Sequence, residues 1–197
     1  MAYMSRAKRL QEVLGNIEGV KSDLEDIKSE VESLETPEEI EEQEELETET
    51  KEEPVAPVSN DASVPVAPVI DGVPVVAEVP ETKSEIKSDY EAQLSELQNR
   101  ATQAASSLDF SEVENLRDEI ENWKSGLEGT NLESSNKYEM LSSAFDSLDA
   151  AISAFESVDS SFSEEREDLE GELDSAIGYL EEGISELENV EFPGMYS

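Results

Sequence analysis

The chain has 197 residues, of which 51 are acidic and 13 are basic, so its formal net charge is −38. It contains no histidine and no cysteine, which excludes a disulfide, a thiolate nucleophile, an imidazole base and a zinc site built from those residues. A charge this negative repels nucleic acid and anionic membranes and attracts basic protein surfaces. The sequence also lacks an apolar run near the ~20 residues that span a bilayer.

Residues 10 to 34 carry apolar side chains at alternating spacings of three and four, which is the heptad pattern of a coiled coil. Asp23 and Lys28 occupy positions that could pair between two parallel chains. We therefore expect a coiled-coil helix over 1–36 that self-associates. The alternative is an amphipathic helix that lies on its own chain's bundle. The predicted oligomerisation seam consists of Leu10, Val13, Ile17, Val20, Leu24, Ile27, Val31 and Leu34.

Residues 37–81 have the composition of a linker. Ten glutamates and one lysine lie between 38 and 53, so this tract cannot bury enough apolar surface to fold. Residues 54–81 contain Pro-Val-Ala-Pro-Val twice, and proline removes backbone donors and disfavours helix in the residue before it. The sequence predicts a disordered Glu-rich tract followed by a stiff Pro/Val-rich spacer. A docking site for a proline-binding partner is the alternative for the spacer.

Residues 82–191 contain four amphipathic segments, and a capping box precedes each of them. Because the connections are short, four such helices are expected to pack as an antiparallel bundle. The predicted fold class is therefore all-α: an N-terminal heptad helix, a linker, and a C-terminal acidic bundle followed by a tail over 192–197. The capping boxes pair Thr82 with Glu85, Ser111 with Glu114, Thr130 with Glu133, and Ser161 with Glu164.

The acidity is concentrated near the end of the chain, where residues 138 to 191 contain 17 acidic residues and one basic residue, Arg166. Carboxylates one helical turn apart lie ~5.4 Å apart along the axis, which is comparable to the phosphate spacing of a nucleic-acid strand. This similarity suggests mimicry of nucleic acid, and the alternatives are a solvated surface or adaptation to high salt. The predicted acidic face consists of Glu164, Glu165, Glu167, Asp168, Glu170, Glu172, Asp174, Glu181, Glu182, Glu186 and Glu188.

Sequence motifs for catalysis are absent. The chain has no Gly-rich phosphate loop, no Gly-x-Ser-x-Gly elbow and no twelve-residue calcium loop. We therefore expect a protein that is not an enzyme and that uses neither a cofactor nor a metal.

Three stretches resemble small acidic helical proteins encoded by tailed phages and prophages. They are the segment Met4-Ser5-Arg6-Ala7-Lys8-Arg9-Leu10, the segment from Glu119 through Trp123 and Gly129 to Glu139, and Glu191-Phe192-Pro193-Gly194-Met195. The resemblance covers about half of the chain, and the Glu-rich tract with its Pro/Val spacer departs from it as an insertion. It implies a phage context and a bacterial cytoplasm, and it implies no site residues.

The combined expectation is a non-enzymatic, acidic protein-binding factor of phage origin in the bacterial cytoplasm. It would occupy a basic surface of a host or phage protein, with nucleic-acid mimicry as the most concrete version. The alternative is an acidic helical scaffolding or assembly factor, or a virion-associated structural protein. A third interpretation is an accessory protein of a halophile. The expected partners are a basic protein surface and further copies of the chain, with neither nucleic acid nor membrane.

Overall fold

The computed structural model describes residues 5–37, 40 and 83–193. Helix is the regular structure of these residues, and no strand occurs among them, which confirms the all-α prediction. Most of the predicted linker and residues 194–197 lie outside the described residues. The helices are α1 (Arg6–Ser33), α2 (Lys83–Ser106), α3 (Ser111–Ser125), α4 (Asn136–Glu156) and α5 (Arg166–Glu188).

The chain divides into two compact units, Met1–Leu34 with Gln93–Ser197, and Glu35–Ala92. In the first unit α1, α3, α4 and α5 pack together: α5 contacts α1 and α4, and α3 contacts α4 and α1. The part of α2 within this unit is bound to α1, because the Arg100 guanidinium donates to both carboxylate oxygens of Glu30, at 2.5 and 2.8 Å. A helical bundle is thus confirmed, and α1 belongs to it.

The seam of α1 is buried within its own chain. Its residues from Leu10 to Val31 are at most 8% exposed, and Leu34 at the C-cap is half-buried. The neighbouring α5 supplies a matching apolar face, with Leu169, Leu173, Leu180 and Leu187 all buried. This arrangement differs from a separate N-terminal coiled coil and corresponds to the alternative, a helix on its own bundle.

Ion pairs show that α1 and α5 are antiparallel. Lys28 Nζ lies 2.7 Å from Asp174 Oδ1, and Lys21 Nζ lies 3.0 Å from Glu181 Oε1, so the numbers rise along one helix as they fall along the other. Lys28 pairs with Glu32 and Asp174 of its own chain. This packing therefore does not include the predicted pair between Lys28 and Asp23 of another chain.

The capping boxes predicted at Ser111 and Ser161 do not form, and a different motif occurs at each position. In each case an aspartate two residues earlier accepts hydrogen bonds from the serine: Asp109 Oδ1 from Ser111 N and Oγ, and Asp159 Oδ1 from Ser161 N and Oγ. Aspartate forms such local turns with the backbone readily. Ser111 becomes the first residue of α3, whereas Ser161 precedes the start of α5 by five residues.

Helix α4 also begins later than predicted, at Asn136 rather than after Thr130. The residues before it form turns around Gly129, whose φ of 70° is a left-handed conformation that glycine adopts without strain. Ser135 is the N-cap, because its side chain accepts a hydrogen bond from Tyr138 N at 3.3 Å.

Helices α4 and α5 approach each other most closely near Phe155 and Gly183. A Cβ atom placed on Gly183 would overlap the ring of Phe155, so any other residue there would force the ring to shift. Because Phe155 is in the last turn of α4 and Gly183 is in the later part of α5, the connection over 157–165 runs back along α5 to its start. Ser163 N donates to Glu172 Oε2 at 2.6 Å on this path.

Candidate protein-binding surface on the last helix

Helix α5 carries two separate rows of carboxylates. Successive residues are rotated by about 100° around a helix axis, so Asp168 and Glu186, which are five full turns apart, point in the same direction. Asp174 and Glu181 point roughly 120–140° away from them. The narrower sector between the two rows is exposed and includes Glu167 and Ser185, whereas the apolar core residues occupy the wider sector on the opposite side. The predicted acidic face is therefore broad, with one row of carboxylates at each edge.

The first row, which we call the α1-facing stripe, consists of Glu170, Asp174, Glu181 and Glu188. Asp174 and Glu181 are the partners of Lys28 and Lys21, and Glu170 pairs with Arg166 at 2.9 Å. Glu188 lines the same surface depression as Lys21. Hydrogen bonds to Glu25 and Glu181 raise the pKa of Lys21, and hydrogen bonds to Asp174 and Glu32 raise the pKa of Lys28. The cations of α1 thus pair with two of the four carboxylates of this stripe, and Arg166 pairs with a third.

The second row, which we call the outer stripe, consists of Asp168, Glu172, Glu182 and Glu186. Within the part of the chain that the structure describes, no Lys or Arg nitrogen lies within 4 Å of these carboxylates. Glu172 accepts a hydrogen bond from Ser163 N, and Asp168 and Glu182 are exposed. The stripe is about 27 Å long, because 18 residues separate its ends at about 1.5 Å each.

Tyr179 stands in the middle of the outer stripe and is 40% exposed. It lines an open depression together with Asp168 and Glu172, and Asp159 from the connection before α5 adds another carboxylate to its wall. An exposed tyrosine offers an apolar ring and a hydroxyl in one side chain, a combination that is enriched where proteins bind one another.

Helix α4 extends the acidic surface beyond Glu186. Glu139 and Asp146 line a second depression together with Glu186, and Tyr138 lies at its edge. The same surface therefore includes four residues that the predicted acidic face lacks: Asp159, Tyr179, Glu139 and Asp146. Sequence spacing could have placed Tyr179 in the outer stripe, because it lies three and seven residues from Glu182 and Glu172.

The other predicted acidic residues lie near the start of α5. Glu164 and Glu165 are exposed in the connection, and Glu165 is the N-cap of α5 without a side-chain capping bond. Glu167 is in the first turn and lines the depression around Tyr179. Carboxylates in a first turn are favourable because the N-terminal end of a helix carries a partial positive charge.

The basic residues collect at the N-terminal end of α1. The guanidinium of Arg6 lies 5.0 Å and the ammonium of Lys137 lies 4.7 Å from the ring centre of Trp123. Arg6 also donates to Glu119 at 3.0 Å, and Arg9 donates to Glu119 at 2.6 Å and to Glu112. Residues 6–9 and 119–137 thus meet here.

Glu119 is the carboxylate at the centre of this cluster. Burial raises its pKa, but the hydrogen bonds from Arg9 and Arg6 outweigh burial and hold the pKa below the usual glutamate value of 4.5. The hydrogen bonds to Glu119 and Glu112 raise the pKa of Arg9. The cluster therefore fixes the first turn of α1 to α3 with charged groups that satisfy one another.

Among the described residues no group of three carboxylates is arranged to hold a metal ion, and none of their helices is long and apolar enough to cross a membrane. Comparison of the chain with family models, with curated proteins and with solved structures yields no match.

Proposed function

We propose that this chain is a non-enzymatic binding protein whose outer stripe engages a basic surface on another protein. The observation that carries the proposal is the contrast between the two stripes of α5. The cations of α1 and Arg166 are placed against one stripe, while the other has Tyr179 at its centre and no cation within 4 Å among the described residues. Exposed like charges on a helix oppose its folding, so a retained uncompensated row suggests a binding role.

Charge density favours a particular form of this role. One strand of DNA carries a phosphate every 3.4 Å, so about eight phosphates correspond to the ~27 Å of the outer stripe. The stripe has four carboxylates, and Glu139, Asp146 and Asp159 beside it bring the total to seven. The stripe alone thus carries about half the charge density of a single nucleic-acid strand, and the carboxylates beside it bring the surface nearer to a single strand than to a duplex. A groove on a phage or bacterial protein that normally holds one strand is the partner we propose.

Two triple variants test the proposal, and each removes three negative charges. The first, Asp168→Asn with Glu182→Gln and Glu186→Gln, neutralises the outer stripe and spares Glu172, which bonds to the backbone. The second, Asp174→Asn with Glu181→Gln and Glu188→Gln, neutralises the α1-facing stripe. Full-length wild type and both variants are immobilised and exposed to bacterial lysate, with and without phage infection, and the retained proteins are identified by mass spectrometry.

We expect wild type to retain a protein that binds single-stranded nucleic acid. The second variant should also retain this protein, and the first variant should not. Added single-stranded DNA should displace it, while both variants keep the helical circular dichroism of wild type. Equal loss from both variants would show that net charge alone explains retention and would refute the proposal. Retention of capsid or tail proteins that DNA does not displace would favour the scaffolding alternative instead.

A further inference from the structure

Helix α1 depends on its docking surface to be a helix. Its first turn contains Arg6, Lys8 and Arg9, and its last turn contains Glu30 and Glu32, with no acidic residue in the first turn and no basic residue in the last. This distribution opposes the helix dipole, which favours negative charge at the N-terminus and positive charge at the C-terminus. A helix of this kind gains most of its stability from tertiary packing.

The two glycines of α1 weaken it further without a packing reason. Nothing lies within 4 Å of a Cβ atom placed on Gly15 or on Gly19, so neither position requires glycine for space. Each glycine costs up to ~1 kcal/mol relative to alanine in a helix interior. These features indicate a helix whose stability comes from docking rather than from its own sequence.

The contacts that hold α1 lie on α2, α3 and α5, far along the chain from α1 itself. Arg166 at the start of α5 donates to the backbone carbonyls of Leu34 at 2.8 Å and Glu32 at 3.0 Å. It thus bonds to carbonyls at the C-terminal end of α1, where carbonyls have no partner within the helix. Between Ser33 and Lys83 the chain has 49 residues. Their covalent reach is at most ~175 Å, whereas α1 is ~42 Å long.

We propose that α1 exchanges between two copies of this chain, so that α1 of each copy lies on α5 of the other. Exchange keeps the buried seam, the lysine pairs and the Arg166 contacts, which now join two chains. The dimer therefore forms through contacts that the single chain already has. The heptad seam serves self-association and intramolecular packing with the same side chains. A tether gives its own helix an effective concentration of at most on the order of millimolar, so exchange competes with internal docking as the concentration rises.

Charge complementation provides the test. One full-length chain carries Lys21→Glu with Lys28→Glu, and a second carries Asp174→Lys with Glu181→Lys. Within either chain α1 now faces like charges, but a mixed dimer with exchanged α1 helices restores opposite charges at all four pairs. A control chain carries all four substitutions and restores opposite charges internally. The proteins are heated and cooled alone and mixed 1:1 at low ionic strength, and their mass is measured by light scattering.

The mixture is expected at about twice the wild-type mass of 21.7 kDa, at a concentration at least about tenfold below that at which wild type dimerises. The four-substitution control and wild type stay at 21.7 kDa under these conditions. A mixture that remains monomeric while both chains are helical by circular dichroism overturns the proposal. A dimer that forms equally between the control and wild type also overturns it, because exchange then has no part in the association.

Discussion

Helix α5 contacts two neighbours by different means. Against α4 the contact is one of shape: Phe155 fits over Gly183, and among the described residues no ion pair links the two helices. Against α1 the contact combines an apolar seam with Lys21 and Lys28. Salt or carboxylate protonation should therefore weaken the α1 contact by screening or removing its ion pairs, whereas the α4 contact, where Glu139, Asp146 and Glu186 repel one another, should not be weakened. The difference identifies α1 as the adjustable member of the bundle.

The largest expected effect comes from filling the space at Gly183. Gly183→Ala forces a methyl group into the buried ring of Phe155, and overpacking of this kind costs about 1–3 kcal/mol of unfolding free energy. The matched control is Gly178→Ala on the same helix, where nothing lies within 4 Å of the added atom. That variant should be stabilised by about 0.5–1 kcal/mol. Urea unfolding monitored by circular dichroism measures the unfolding free energy of both variants. Equal free energies would contradict a contact based on shape.

A smaller effect is expected from Arg166. Arg166→Ala removes the donors to Leu34 and Glu32 and the pair with Glu170, and it should cost about 1 kcal/mol. Hydrogen exchange read by mass spectrometry should rise in α1 and stay unchanged in α4. Arg166→Lys keeps the charge without the planar fork and should restore only part of the protection. Faster exchange throughout the bundle would show that Arg166 has a general role.

The smallest effect is a local dependence on pH. Glu119 bound by Arg9 and Arg6, and Glu30 bound by Arg100, have lowered pKa values in the folded chain. Groups of this kind stabilise the fold above their unfolded pKa of about 4.5, and this contribution is lost as the pH falls through the lower folded pKa. Hydrogen exchange of α1, corrected for the intrinsic effect of pH, should therefore accelerate below about pH 4.5 before that of α4 and α5. Glu119→Gln should weaken this dependence, and a variant with unchanged dependence would exclude Glu119 as its source.

Much of the fold follows from local sequence patterns. The heptad spacing of α1 and the stripes of α3, α4 and α5 predict helices because a helix repeats its faces every 3.6 residues. The same spacing shows that α1 has an apolar face but not which chain covers it, because a seam looks identical when its partner is Leu180 of its own chain or a second α1. Ser111 and Ser161 are not the N-caps that the sequence predicts, because each donates instead to the aspartate two residues earlier, Asp109 or Asp159.

Composition predicts the acidic surface, and packing divides its carboxylates into two rows. The residues of the outer stripe can be separated from the α1-facing stripe by their spacing along α5, since Asp168 and Glu186 are five turns apart. Which row is paired with cations cannot be read from α5, because it depends on Lys21 and Lys28 more than 140 residues earlier. The proposed binding surface therefore depends on tertiary structure.

Trp123, beside Arg6 and Lys137, is the single tryptophan of the chain. Its indole is half-buried and touches charged groups from two different elements, so its fluorescence should shift when α1 leaves. The molecule thus carries an intrinsic optical probe at the end of the helix for which we propose exchange. Stopped-flow fluorescence of the unlabelled protein could follow the release of α1 in time.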